Sequence, residues 1–416
     1  MNRMEPQAVE QAIKPARTIA GEIAQTFRSL RHRNFRLYFF GQLVSLSGTW
    51  MQNLALSWLV YSLTKSAYWL GVVEFANLSP VLVLALAGGW VADHVDRRKV
   101  LLTTQFLLLI QASILAFLTL NHLIQLWHII VMALVAGTIV AFEIPSRQAL
   151  IVNMVERKDF VNAISLNSSL FNGSRIIGPA IAAVIIHYQG EGFCFAINAF
   201  SYLAALVAVF LLKVPPHPDA GKDTDKSVID GLRYSFGTPE VRRLLRLTAL
   251  LSLFGAQFSM LMPVVANQIL HQDVQGFGAL KSFAATGSLI AALSLANRGS
   301  GPMLTRSVGF AGLFFGITLC AFAVSRDFSL SLVLCLMLGF CMTFQLSGSH
   351  SLLQLSVPEQ LRGRLMSVWT IMIMGLSPLG SFMVGWAASH YGAPPVILVT
   401  AVIGILSALI YLVFRV

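Results

Sequence analysis

The chain has 416 residues, 56% hydrophobic and 11% charged, with a mean hydropathy of +0.73 and a formal net charge of +11. An ordinary soluble domain is about a quarter charged, so this composition excludes a soluble globular protein. Nucleic-acid binding is not the reading of the positive charge either, because Lys and Arg cluster where cytoplasmic loops of a membrane protein carry them.

Residues 1–34 are polar and basic and contain no apolar core of a signal peptide, so the first apolar segment is read as the first span. From there the chain repeats apolar stretches of ~20 residues or more, each long enough to cross ~30 Å of hydrocarbon as a helix. The strict alternation of a barrel is absent, which leaves helices as the spanning elements. The segments are 36–62, 66–92, 99–121, 127–153, 161–187, 192–213, 245–270, 275–297, 302–325, 328–354, 363–390 and 393–414. Twelve spans place both termini on one side. With that side inside, about 24 of the 29 Lys and Arg fall in inside segments. Only Lys65, Lys281 and Arg326 fall outside, while Arg147 and Arg175 lie within spans. The expected location is therefore the inner (plasma) membrane with both termini cytoplasmic. The cysteines Cys194, Cys320, Cys335 and Cys341 sit in apolar stretches without CxxC spacing and read as packing thiols.

Residues 214–244 form the longest polar connection. "PPHPDAGKDTDK" reads as a flexible linker, and "VIDGLRYSF" and "PEVRRLL" as short amphipathic helices on the inner surface. The linker separates an N-terminal half, 36–213, from a C-terminal half, 245–416. The halves resemble each other at an offset of about 202 residues. "QALIVNMV" at Gln148 aligns with "HSLLQLSV" at His350, and "GPAIAAVIIHYQG" at Gly178 with "GSFMVGWAASHYG" at Gly380. Such repeats place a binding site near the bilayer midplane between the halves.

Charge inside the spans is the next signal. "AFEIPSRQAL" puts Glu143 about 24 Å from the outer end of span four and about 15 Å from the inner end. Arg147 follows one turn later on the same face, in the favourable Glu-to-Arg order. Arg175 is about 20 Å into span five, and Glu74 about 12 Å from the outer end of span two. An ionisable group at such depth costs at least ~2.5–3.5 kcal/mol and faces a partner or a cavity. For Glu143 two readings stand: a Glu143–Arg147/Arg175 cluster that ties spans four and five, or a proton-coupling carboxylate that releases an arginine when protonated. Glu74 reads as a structural or gating group. In the other half Gln345, Ser349 and Ser377 align with Glu143, Arg147 and Arg175, so this charge belongs to one half only.

The loop "GGWVADHVDRRK" after span two carries Gly88, Gly89, Asp93, Arg97, Arg98 and Lys99. Small residues permit close helix approach, and Asp93 at the membrane edge can cap a helix or meet a cation. The Gly89, Asp93, Arg97, Arg98 set resembles the loop-2–3 signature of the major facilitator superfamily. "GPAIA" at Gly178 resembles the span-five motif of its antiporters. "AFEIPSRQAL" and "VPEQLRGRLMS" resemble the branch of the enterobactin exporter and macrolide efflux proteins. His94 and Asp96 depart from the usual loop, and Ala182 and Ala183 stand where the antiporter motif has glycines.

The resemblance implies an all-α fold of two six-helix halves. It implies that Asp93 holds an inside gate against Arg362 and Arg364, and that Gly178 and Pro179 bend span five at the interface between the halves. It also implies a cavity lined by spans one, four, seven and ten, with Gln42, Trp50, Asn53, Gln257, Phe258, Asn267 and Gln345 as candidates. No phosphate-binding loop, HExxH or Gly-x-Ser-x-Gly occurs, so no enzyme, metal or cofactor is expected. The expected function is proton-coupled export of a bulky small molecule, a siderophore or drug, by a monomer in the bilayer. The alternatives are an uptake permease and a non-transporting sensor or scaffold.

Overall fold

The computed structural model describes residues 27–213, 233, 237–296, 302–357, 365–366 and 368–413. Its long helices form two sets of six. The first set is α1 (Arg33–Thr64), α2 (Ala67–His94), α3 (Arg97–Leu120), α4 (Leu126–Val152), α5 (Phe160–Gln189) and α6 (Glu191–Phe210). The second is α7 (Pro239–Ile269), α8 (Val274–Ala296), α9 (Pro302–Val324), α10 (Phe328–Leu355), α11 (Val368–Tyr391) and α12 (Ala393–Val413). Eleven of these are long and apolar enough to cross a membrane. The other is α1, whose 32 residues include Gln42, Gln52 and Asn53. Its length and its packing on α5 and α6 place it in the bundle. The chain is a multi-pass membrane protein. Among the described residues there is no strand, as expected where each backbone polar group must find its partner within the spanning segment.

Two segments differ from the sequence reading. "PEVRRLL" is the first part of α7, continuous with the spanning helix, because Pro239 starts that helix at a position where no backbone donor is needed. Lys281, counted with the outside charges although it falls in the 275–297 segment, lies within α8. That leaves Lys65 and Arg326 as the outside basic residues and sharpens the charge asymmetry.

The two sets pack alike. In the first, α2 packs on α4, α1 on α5 and α6, and α3 on α4 and α6; in the second, α8 packs on α10, α7 on α11 and α12, and α9 on α10 and α12. The halves meet through α2 on α11 and α5 on α8, two contacts that the repeat exchanges. Glycine makes these crossings close. Gly71 lies against Ser381 and Gly385, and Gly278 lies against Pro179 and Ala183. Gly137 meets the Asn77 carbonyl, just as Gly339 meets that of Ala284. Matching these glycine contacts gives an offset of about 207 residues for α2 and about 202 for α4 and α5.

Call the side bearing the α6–α7 linker the linker side, and the other the far side. On the far side one apolar cluster runs through both halves, from Leu54 and Tyr61 to Phe277, Phe322 and Ile397. On the linker side the clusters stay separate. One contains Phe35, Leu101, Leu150 and Val209; the other contains Leu244, Val308, Leu353 and Tyr411. Polar Ser165, Ser168 and Ser169 of α5 are exposed there. Among the described residues the halves share an apolar cluster on the far side and none on the linker side. At the start of α1, Arg28 and His32 both pair with the shielded carboxylate of Asp159, which fastens the entry of the chain to the α4–α5 turn.

Gly339→Val forces a side chain into the Ala284 carbonyl, an overpacking of ~1–3 kcal/mol. It should lower the melting temperature in detergent by several degrees. Gly89→Val, at a glycine with open space around it, should leave it unchanged. Equal melting temperatures for both variants would contradict the close α8–α10 crossing.

Candidate functional site

A cavity of about 280 Å³ lies between the halves. Trp50 and Asn53 of α1, Glu74 of α2, Arg175 of α5, Gln257 and Phe258 of α7 and Lys281 of α8 line it. A short 3-10 turn, Gly255–Gln257, interrupts α7 at this depth. It turns the Gln257 amide so that Nε2 donates to the freed Ser252 carbonyl at 2.8 Å and to the Ser377 carbonyl at 3.3 Å. The same residue thus satisfies the broken helix and ties α7 to α11. Five-residue π turns follow at Val265–Ile269 and at Ile371–Gly375.

The cavity brings together three charges. The Arg175 guanidinium rests over the Trp50 ring, 5.6 Å from its centroid. Lys281 Nζ donates to Ser259 Oγ at 2.7 Å. Glu74 and Lys281 interact electrostatically, although no ion pair within 4 Å joins them among the described residues. Lys281 also feels Arg175. Glu74 and Lys281 hold equivalent positions in the two halves, each three residues after the crossing glycine, Gly71 or Gly278. Arg175 is matched by Ser377, which also lines the cavity.

The Glu143 site is elsewhere. Its carboxylate accepts from Gln105 Nε2 at 3.1 Å and lies 3.5 Å from Arg147 Nη1. Tyr38 and Tyr202 interact electrostatically with both charges. Helices α1, α3, α4 and α6 therefore enclose this pair within the first half, and neither residue lines the central cavity. The expected Glu143–Arg175 contact is corrected. Arg175 instead rests on Trp50 of α1 and interacts with Lys281 across the interface, because its side of α5 faces α1 and α8 and not α4.

Four of the seven cavity candidates line the cavity: Trp50, Asn53, Gln257 and Phe258. Three do not. Gln42 is buried in the first half. Gln345 is buried in the second half, packed on Gly312 as Glu143 is on Gln105. Asn267 is on the far side, where Oδ1 accepts from Tyr61 Oη at 2.9 Å. That bond joins the halves, together with the His187–Asp273 contact at 3.1 Å and the Trp58–Phe277 ring stack.

The loop motif is also redistributed. Asp96, not Asp93, caps α3, accepting from the backbone N–H of Arg98 at 2.8 Å and of Lys99 at 3.3 Å. Arg98 donates to the Val209 and Phe210 carbonyls at the C-terminal end of α6, a favourable place for a cation. Arg97 donates to the Ala92 and Ala149 carbonyls, joining α2 to α4. Gly88, not Gly89, allows the close approach of α2 to the Ala141 carbonyl of α4. Asp93 is exposed. Arg362 and Arg364 lie outside the described residues. Gly178 packs directly on Trp50, and α5 runs on unbroken through Pro179.

The profile of the transmembrane secretion effector family matches residues 24–416. The chain belongs to that family. It is a transporter of the major facilitator superfamily and not an enzyme. The transporter is 27% identical over 390 residues to the staphyloferrin A transporter of Staphylococcus aureus, covering 91% of this chain and 95% of that one. It is 24% identical to the multidrug efflux pump Tap of Mycolicibacterium fortuitum, over 86% and 89% of the two chains. Against the enterobactin exporter EntS of Escherichia coli the identity is 22%, over 85% of each. Among solved structures, a bacterial homologue of the human lysosomal transporter Spinster, inward-facing and occupied, matches with a TM-score of 0.75 at 12% identity, over 92% and 96% of the chains. The fold is therefore that of the superfamily.

The transporter's far-side closure gives a test. Tyr61→Phe removes one hydrogen bond between the halves, worth ~0.5–1.5 kcal/mol, which is about a 2- to 12-fold shift in the closed-to-open ratio. A cysteine at Ser57, which lines the cavity, should then react faster with an impermeant thiol reagent added from the far side. Unchanged labelling would remove this bond from the closure.

Proposed function

We propose that the transporter exports a bulky small molecule of the siderophore or drug class from the cytoplasm across the inner membrane, driven by returning protons. The observation that carries this reading is the charged cavity between two halves that are joined on one side and parted on the other. The linker side is the cytoplasmic side, because nearly all of the loop Lys and Arg lie there. Export relatives named for enterobactin and for drugs support the direction.

Alternating access follows from the pseudo-symmetry. The α2–α11 and α5–α8 crossings serve as pivots, and the Tyr61–Asn267 bond and Trp58–Phe277 stack open as the cytoplasmic side closes. The cargo binds in the central cavity and extends into the opening beneath it. The transporter works as a monomer.

Proton coupling is assigned to Glu143. It is buried, it is held by an arginine within one turn, and it touches α3 as well as α4. Protonation cancels its charge and frees Arg147, which shifts packing within the first half without occupying the cargo site.

The test is flux of siderophores and dyes in proteoliposomes, in both directions, with and without an imposed pH gradient. Wild type should drive export against a cargo gradient when protons can return. Glu143→Gln should keep the wild-type melting temperature and cargo binding, and lose pH-driven flux to the level of protein-free vesicles. Full pH dependence in that variant would sink the coupling role. Flux only in the opposite direction would assign uptake.

A further inference from the structure

Charge in the central cavity is unbalanced. Arg175 and Lys281 supply two positive charges and Glu74 one negative. We infer that the cargo is an anion: an acidic group on it, such as a carboxylate, is held between Arg175 and Lys281, and it displaces the attraction that Glu74, without an ion pair, exerts on Lys281 across the cavity. This names the cargo class for the transport reading above and rests on it.

The side chains are already set up for such a ligand. Among the described residues, Arg175 has no carboxylate within 4 Å, and its face is taken up by the Trp50 ring. A guanidinium held by its face keeps its edge N–H donors, which match the two oxygens of a carboxylate. Lys281 gives one donor to the neutral Ser259 hydroxyl and keeps two. Among the described residues Glu74 is the sole carboxylate on the cavity wall. Asp273, just before α8, is turned to His187 on the far side.

Charge sunk between helices in a membrane demands a counter-charge, and two cations with one carboxylate lack one negative charge. An anionic cargo completes the set. A cationic drug would meet two like charges and have one carboxylate to bind, an arrangement that rejects it. The imbalance is not imposed by the fold. The repeat places Glu74 opposite its equivalent Lys281, and pairs Arg175 with the neutral Ser377. Charge at these positions has diverged between the halves, and the sum of the divergence is positive.

The experiment compares two dyes with one xanthene scaffold and opposite charge, anionic 6-carboxyfluorescein and cationic rhodamine 123. Binding to the full chain in nanodiscs is read by fluorescence anisotropy. The expected result is carboxyfluorescein binding at least about tenfold tighter than rhodamine 123. Arg175→Gln and Lys281→Gln should each abolish that preference, Arg175→Lys should restore part of it, and Glu74→Gln should tighten carboxyfluorescein binding. Absent carboxyfluorescein binding, equal binding of the two dyes, or a preference that survives both glutamine variants would overturn the inference. Weaker binding in Glu74→Gln would overturn the displacement. If Arg175→Gln does not fold, the Lys281 and Glu74 variants carry the same decision. Charge-selective binding without flux in proteoliposomes would remove the transport reading and leave the anion site. Flux of rhodamine 123 without carboxyfluorescein would remove the anion site and leave transport.

Discussion

Burying charge in hydrocarbon is the constraint around which this molecule is arranged. Each ionised side chain within a span costs at least ~2.5–3.5 kcal/mol unless it finds a partner or water. Five such groups matter here, and they are met in two ways. Glu143 and Arg147 answer one another inside the first half, and Gln105 donates to the same carboxylate oxygen that faces Arg147. That pair is neutral and enclosed, and it binds α4 to α3. Glu74, Arg175 and Lys281 instead sit on the surface where the halves meet, and they share a cavity. Those three fix where the water-accessible path must run, since no lipid-facing position would tolerate them.

The surfaces that meet around that cavity are chemically distinct along its length. The far side is closed by aromatic rings and a tyrosine–asparagine bond, contacts that can be made and broken as units. At the crossings themselves the contact is small residue on backbone: Gly71 on Ser381, Gly278 on Pro179. Small residues let helices approach closely, and they give a narrow line of contact about which two rigid bodies can tilt. Larger side chains at these points would interlock and hold one orientation. Among the described residues the linker-side ends have no shared core, because the apolar clusters of the two halves are separate there. The ring and side-chain contacts between the halves are thus gathered on the far side, and the small-residue contacts at the crossings.

Much of this was legible from the residues. Hydropathy and the Lys/Arg asymmetry gave the twelve helices, and the 202-residue offset gave the two halves. The depth of Glu143 and its pairing with Arg147 followed from helical periodicity alone. Partners on other helices did not. Arg175 was expected beside Glu143 because long side chains at similar depth can reach each other, but the direction in which α5 points them is a packing property that no single helix encodes. Lys281 was counted with the outside charges because it lies near the outer start of its span, 275–297. A signal was present: α2 and α8 follow an offset about five residues longer than α4 and α10, and with it Lys281 falls on Glu74. Gln345 and Asn267 were plausible cavity groups by type, yet one packs on Gly312 and the other closes the far side. Asp96 departs from the usual loop residue, and the structure shows what it does instead: it caps α3.

The equivalence of Glu74 and Lys281 joins the symmetry of the fold to its chemistry. In a bundle built from two similar halves, equivalent positions on α2 and α8 approach the central cavity from opposite sides. Identical charges there would repel in every state of the cycle, and identical neutral groups would have nothing to exchange. Opposite charges attract across the cavity, which would draw the halves together and leave no binding energy for cargo. Arg175 prevents that outcome. It adds a second positive charge within the field of Lys281, so that Glu74 alone cannot neutralise the site. The cavity is thus held near a balance in which one more anion changes which groups are paired. In the proposed cycle, a cargo that supplies that anion, and leaves with it, alters the attraction between the halves each time it binds, and a ligand shifts a two-state equilibrium only through such differential interaction.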